Sequence, residues 1–162
     1  MTVKLKPGLL LHPVDCLALG FGSGLVPLAP GTAGTLVAIP IYLLMQSLSL
    51  NIYLPLVAGL FLLGIPICAH TAERIGVHDH PGIVWDEIVG YLVTMALAPP
   101  GWAWVAVGFV LFRFFDVITP WPIGWCDRRV HGGLGIMLDD LLAGVMAAAV
   151  LQLIVVYWPT AT

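Results

Sequence analysis

Charge is what this sequence has least of. Its 6 Lys and Arg and 9 Asp and Glu make 15 charged residues in 162, or 9%, while 60% of the chain is hydrophobic. Soluble domains carry about 25% charged residues. The scarcity excludes an ordinary water-soluble globule and implies an integral membrane protein whose length, 1–162, suits a single domain. Cysteine is scarce too. Cys16, Cys68 and Cys126 are an odd, scattered set without metal-ligand spacing, so no disulfide framework is expected, only buried or interfacial thiols. A cleavable leader is not expected either. MTVKLKPGLLLHPVDC opens with two lysines and leucines, but His12, Pro13 and Asp15 interrupt the apolar run and no small-residue cleavage site follows. Residues 1–17 are therefore read as a cytoplasmic N-terminal segment.

Three phosphate-handling signatures are absent or fail. No GK[ST] follows the glycine-rich stretch, which excludes a Walker loop. The D-x-D pattern of aspartyl-phosphate enzymes does not occur. Cys68 to Arg74 matches Cys-x5-Arg, but the residues between them include no glycine and look helical. Their amides would be spent on the helix, and a reactive thiolate also needs an electropositive pocket.

Long apolar runs are abundant. They predict about five membrane helices, roughly 35–48, 52–70, 88–98, 102–118 and 138–157. A full crossing takes about 20 residues at 1.5 Å rise each. The second, fourth and fifth approach that length, and the first and third are short. Pro40 and Pro66 fall inside predicted helices, which membrane bundles tolerate better than soluble folds do. The expected fold is all-α: a polytopic membrane helix bundle with short interfacial helices and loops on the cytoplasmic side.

The charges are distributed unevenly. Lys4, Lys6 and Asp15 precede the first helix. Glu73, Arg74, Asp79, Asp86 and Glu87 lie between the second and third. Arg113, Asp116, Asp127, Arg128, Arg129, Asp139 and Asp140 surround the connection between the fourth and fifth. The connections at 49–51 and 99–101 and the terminal WPTAT hold none. Five crossings place every charge on one side, which the positive-inside rule makes the cytoplasm, with the C-terminus outside. Trp102, Trp104 and Trp158 are expected to anchor the far interface, and Trp85, Trp121 and Trp125 the near one. Transporters and channels usually carry polar residues near the midplane. A plain interior with one chemical face instead suits an enzyme acting on a lipid headgroup.

Three stretches carry the candidate chemistry. GFGSGLVPLAPGTAGT, residues 20–35, has five glycines and no charge. Its amides and the following helix start suit a phosphate, or the loop simply packs against the bundle. HDHPGIVWDEIVG, residues 78–90, places Asp86 and Glu87 at the start of the third helix, where acids also favour the macrodipole. The pattern recurs in Asp139 and Asp140 at the mouth of the fifth helix, and a glycine, Gly90 or Gly144, follows each pair. Small residues allow close helix approach, and two converging acidic pairs form a hard-oxygen site that suits Mg²⁺. In FRFFDVITPWPIGWCDRRVHGG, residues 112–133, Arg113 and Asp116 at i, i+3 form an intrahelical ion pair or hold phosphate and metal. Arg128 and Arg129 are better read as lipid anchors than as a headgroup grip.

Together GFGSGLVPLAPGTAGT, VHDHPGIVWDEIVG, FRFFDVITPWPI and DRRVHGGLGIMLDDLLAGV resemble, in order over residues 18–150, the phosphatidylglycerophosphatase A family of bacterial membrane phosphatases. The resemblance implies Mg²⁺-dependent hydrolysis of phosphatidylglycerophosphate to phosphatidylglycerol and phosphate in the inner membrane. It implies membrane lipid as a partner beside the substrate, and no nucleic acid. Thr119 departs from the pattern, standing where the family has lysine before the proline, which removes one phosphate-binding cation. Beside this, the residues suggest roles. Asp86, Glu87, Asp139 and Asp140 would hold Mg²⁺ with Asp116 nearby, neutralising phosphate charge and acidifying water. Gly31, Thr32, Gly34, Thr35 and Arg113 would bind the phosphoryl oxygens. His78 or His80 would move protons, oriented by Asp79, or else belong to an interfacial hydrogen-bonded loop. The rival classes are a transporter or channel that binds cations on the acids, a non-catalytic membrane subunit, and a lipid phosphatase of different headgroup specificity.

Overall fold

A computed structural model describes residues 5–157, which leaves the expected roles of Lys4 and Trp158 outside the described residues. Its regular structure is helical: α1 (Pro13–Ala18), α2 (Pro30–Met45), α3 (Leu50–Ile75), α4 (Trp85–Met95), α5 (Trp102–Ile118), α6 (Ile123–Asp127) and α7 (Gly132–Tyr157), with 3-10 turns at Pro7–Leu11 and Gly20–Leu25. Each apolar run lies in a helix, so the all-α expectation holds. Two helices, Leu50–Ile75 and Gly132–Tyr157, are long and apolar enough to cross a membrane by length and composition. At 26 residues each they reach about 39 Å, against a hydrocarbon core of about 30 Å.

The short α4 is the axis of the bundle. Ile88, Val89, Gly90, Tyr91, Leu92, Thr94 and Met95 are all buried, and α7, α2, α3 and α5 surround it. A helix that is apolar on every side belongs in a core. Tyr53 donates to the Leu92 carbonyl (2.7 Å) and Tyr91 to that of Val105 (3.1 Å). Gln152 donates to the Leu97 carbonyl (2.7 Å). These bonds bring the start of α3, the end of α4, the start of α5 and the second half of α7 to one end of the bundle. That end has no charged residue in its connections at 46–49 and 96–101. Asp86, Glu87, Arg113, Asp116, Asp139 and Asp140 lie toward the other.

Two tryptophans depart from expectation. Trp104 is 7% and Trp85 6% exposed, and the Trp85 indole donates to the Leu60 carbonyl (3.2 Å). Both are core residues rather than interface anchors, because α4 and the α5 start are enclosed by their neighbours. Trp102, Trp121 and Trp125 are exposed, with the Arg129 guanidinium 5.1 Å from the Trp125 ring centre. All three cysteines are free, and Cys68 is buried.

Candidate active site

The site begins with two glycines. A methyl group at Gly90 would meet the Asp140 carbonyl oxygen at 2.7 Å and Phe112 at 2.6 Å, and one at Gly144 would collide with the Gly90 carbonyl. α4 and α7 therefore cross backbone to backbone, a contact that any side chain would prevent. Asp86 and Glu87 stand one turn before Gly90, and Asp140 one turn before Gly144, so the crossing draws the acidic pairs together. α7 begins at Gly132, six residues before the expected start. Asp139 and Asp140 thus lie two turns inside the helix, where the macrodipole has faded. Helix-end electrostatics cannot account for them.

The result is a cavity of about 220 Å³ lined by Asp79, Asp86, Glu87, Asp116, Asp139 and Asp140, with Thr119 and Ile123 on its wall. Six of the nine acidic residues of the chain converge there. One water occupies about 30 Å³, which leaves room for a phosphate group, an ion and water. One carboxylate oxygen from each of Asp86, Glu87 and Asp140 lies within 4.8 Å of the others. At an effective dielectric of about 20, two such charges repel by at least about 3 kcal/mol, unless a proton or a cation intervenes. Asp86 Oδ1 and Glu87 Oε2 are buried without a hydrogen-bond partner. Such atoms normally cost about 1–3 kcal/mol each. Clustered, buried, unsatisfied hard oxygens fit a divalent cation of the Mg²⁺ type.

Arg113 and Asp116 form the intrahelical ion pair, with both side chains about four-fifths buried. Asp116 lines the cavity, and Arg113 stands behind it, outside the lining. Gly31, in the first turn of α2, lies directly against them: a Cβ there would collide with Glu87 Oε1 and sit 3.0 Å from Arg113 Nη1. Gly31 and Thr32 therefore bring a helix N-terminus to the edge of the carboxylate group. Gly34 and Thr35 do not share this position. A side chain at Gly34 would strike Val84, and the buried Thr35 hydroxyl donates to the Gly31 carbonyl (2.9 Å). The earlier glycines are packing devices as well. Gly24 lies against the Gly82 carbonyl, and the Val84 amide donates to the Ala18 carbonyl (2.8 Å). This stretch braces the 78–84 loop that delivers Asp79 and Asp86.

The histidines are placed differently from Asp79. His80 is buried, and its Nδ1 accepts the Gly82 amide (3.0 Å). His78 is exposed, and its Nε2 accepts the Gly132 amide at the start of α7 (2.6 Å). Neither lines the carboxylate cavity, whereas Asp79 does. His78 lines a separate hollow with Glu73, Val77 and Gly132. Sequence reasoning noted Thr119 only as a missing lysine. The structure gives it a wall position, with its hydroxyl on the Asp116 carbonyl (2.8 Å) and a left-handed backbone at φ 48°. That conformation is rare for a β-branched residue, and the following proline, which favours extended backbone, gives no sequence signal for it. Cys68 points at Met137 Sδ (3.7 Å) from within α3, which removes the Cys-x5-Arg loop.

Comparison with known proteins identifies the family. The phosphatidylglycerophosphatase A family profile matches residues 16–155. A phosphatidylglycerophosphatase A of Escherichia coli K12 is 51% identical over 149 residues, covering 91% of this chain and 87% of that protein. The Haemophilus influenzae protein of the same name is 45% identical over 159 residues, 95% of each chain. A Bacteroides thetaiotaomicron protein, described as a candidate phosphatidylinositol-3-phosphatase, is 37% identical over 133 residues, 78% of this chain and 83% of its own. No solved structure matches significantly. A match over most of the chain, on the segments that build the carboxylate cavity, leads to one conclusion: the chain belongs to the phosphatidylglycerophosphatase A family.

Proposed function

We propose that this enzyme, a phosphoric monoester hydrolase by family, removes the terminal phosphate of phosphatidylglycerophosphate, yielding phosphatidylglycerol and inorganic phosphate for phospholipid biosynthesis. In this proposal it does so with Mg²⁺, from a five-helix bundle in the bacterial inner membrane, its cavity facing the cytoplasm. The observation that carries the chemistry is the three-carboxylate cluster with its unsatisfied buried oxygens. The observation that supports the membrane setting is the pair of long apolar helices with exposed Leu62, Leu63, Val145 and Leu153.

Asp86, Glu87 and Asp140 would hold the ion, with Asp139 and Asp116 at the same cavity. When bound, Mg²⁺ offsets the phosphate charge and makes water more acidic. The chain supplies the rest. Arg113 donates to a phosphoryl oxygen with charge-assisted bonds, and the α2 N-terminus at Gly31 and Thr32 adds its dipole. Asp79, on the cavity wall, takes a proton from the attacking water or returns one to the departing glycerol oxygen. His80 holds the loop through Gly82, and His78 fastens it to α7 through Gly132.

Purified protein in detergent, given phosphatidylglycerophosphate, should release phosphate with Mg²⁺ and stop with chelator. No release from folded protein in Mg²⁺ would overturn the assignment. Cation flux in proteoliposomes without hydrolysis would favour the transport class. A second headgroup is worth the same assay, because one relative is described as a candidate phosphatidylinositol-3-phosphatase. Equal or faster release from phosphatidylinositol 3-phosphate would move the specificity there.

A further inference from the structure

A second cluster of ligating side chains lies away from the carboxylate cavity, where α1 meets α3. His12, Asp15 and His70 each offer one donor atom, and all three donors fall within 4.8 Å of one another. The two imidazoles stack with centroids 5.2 Å apart and planes 16° from parallel. His12 Nδ1 is buried without a hydrogen-bond partner and stands 3.9 Å from Asp15 Oδ2. Asp15 is fully buried on a short helix of a membrane-type chain. Its carboxylate is held in place by the Thr71 hydroxyl (2.8 Å) and by Arg74.

We propose that His12, Asp15 and His70 form a binding site for a borderline divalent metal ion of the Zn²⁺ class, distinct from the oxygen-only cavity. The donor set selects the ion. Two imidazole nitrogens and one carboxylate suit Zn²⁺ and its transition-metal neighbours, whereas Mg²⁺ takes oxygen ligands. Three protein ligands with an open fourth position are a recurrent zinc arrangement. Bonds of about 2.0–2.1 Å in a tetrahedron place donors about 3.4 Å apart. The cluster therefore closes through a side-chain shift of roughly 1 Å together with rotation of one imidazole out of the stack, movements open to the half-exposed His12 and exposed His70.

Competing occupants fit less well. Two stacked imidazolium rings would repel, so an anion held by a pair of protonated histidines is disfavoured, while two neutral rings can both donate lone pairs to a metal. Arg74 holds Asp15 Oδ2, the oxygen that faces His12, so an ion here shares that carboxylate with the 42%-exposed guanidinium, which can swing toward water. Thr71 and Arg74 orient Asp15 in the way outer partners usually fix a ligating carboxylate. An ion here would tie α1 to α3. Because Ala18 of α1 accepts the Val84 amide immediately before α4, that tie would steady the start of the helix carrying Asp86.

The test is Zn²⁺ titration of the full-length protein in detergent, with Asp140→Asn present and Mg²⁺ in excess, so that carboxylate-cavity binding is weakened and what remains of it is occupied by Mg²⁺. One Zn²⁺ per chain should bind, at least tenfold more weakly in His12→Ala and in His70→Ala. Unchanged affinity in both variants, or displacement of Zn²⁺ by Mg²⁺, overturns the site. Co²⁺ added to unmutated protein in excess Mg²⁺ supplies a readout that needs no variant to fold. Tetrahedral visible absorption supports the site, and its absence rejects it. Neither measurement uses phosphate release, so failure here leaves the assigned hydrolysis standing.

Discussion

Replacing Gly90 by alanine isolates the geometric claim at the centre of this enzyme. The added methyl would stand 2.6 Å from Phe112 Cε2 and 2.7 Å from the Asp140 carbonyl oxygen. Carbon contacts settle at about 3.5–4.0 Å, so α4 must retreat from α7 by roughly 1 Å. Overpacking of this kind costs about 1–3 kcal/mol. The retreat also separates Asp86 and Glu87, one turn away on α4, from Asp140 on α7. A misplacement of about 1 Å at a reacting centre costs about 10²-fold in rate. The assay is initial phosphate release at saturating Mg²⁺, with thermal unfolding in the same detergent. Gly59→Ala serves as the control, because that glycine is also helical but has open space around it. The Gly90 variant should melt lower and turn over about 100-fold more slowly, and the Gly59 variant should keep both properties. A Gly90→Ala enzyme within twofold of the unmutated rate would refute the idea that the crossing sets the carboxylate geometry.

Three further outcomes follow from the same cavity. Asp140→Asn should cost at least about 10²-fold in rate yet raise the melting temperature of chelator-treated protein, since it removes one of three carboxylates crowded within 4.8 Å that must otherwise repel or take up protons. A variant that is both inactive and less stable without metal would count against the repulsion argument. Mg²⁺ should stabilise the unmutated protein by mass action, by about 2.7 kcal/mol at 100 times its Kd. Asp86→Asn should lose that stabilisation, as read by melting curves with and without Mg²⁺. His78→Ala should stay within about threefold of normal kcat and Asp79→Asn should fall at least tenfold. The opposite ranking would return proton transfer to the histidine.

Much of this protein was legible from residue order alone. Sixty per cent apolar composition and long uncharged runs force helices, because a backbone in an apolar setting must satisfy its own hydrogen bonds. The repeated acidic pair followed by glycine marked both Asp86–Glu87 and Asp139–Asp140, and the motif order carried the family. Helix boundaries were less legible. The start of α7 at Gly132 is hidden because a glycine-rich stretch gives no apolar signal, although its backbone helps α7 approach α3: a side chain at Gly133 would strike the Ile65 carbonyl.

What tertiary structure decided is which residues share a cavity. Asp79 and His80 are adjacent in sequence, yet only the aspartate lines the carboxylate site, because the Gly82 amide holds the imidazole. Gly31 and Gly34 look equivalent in a glycine-rich string. One helical turn sends the first toward Glu87 and Arg113 and the second toward Val84. Asp15, Thr71 and Arg74 are 56 and 59 residues apart in sequence, and no local pattern announces their contact. Local sequence sets the period and the hydropathy of each helix. The angle and depth at which two helices cross depend on where side chains are missing on both partners at once, and that pairing exists only after the chain has folded.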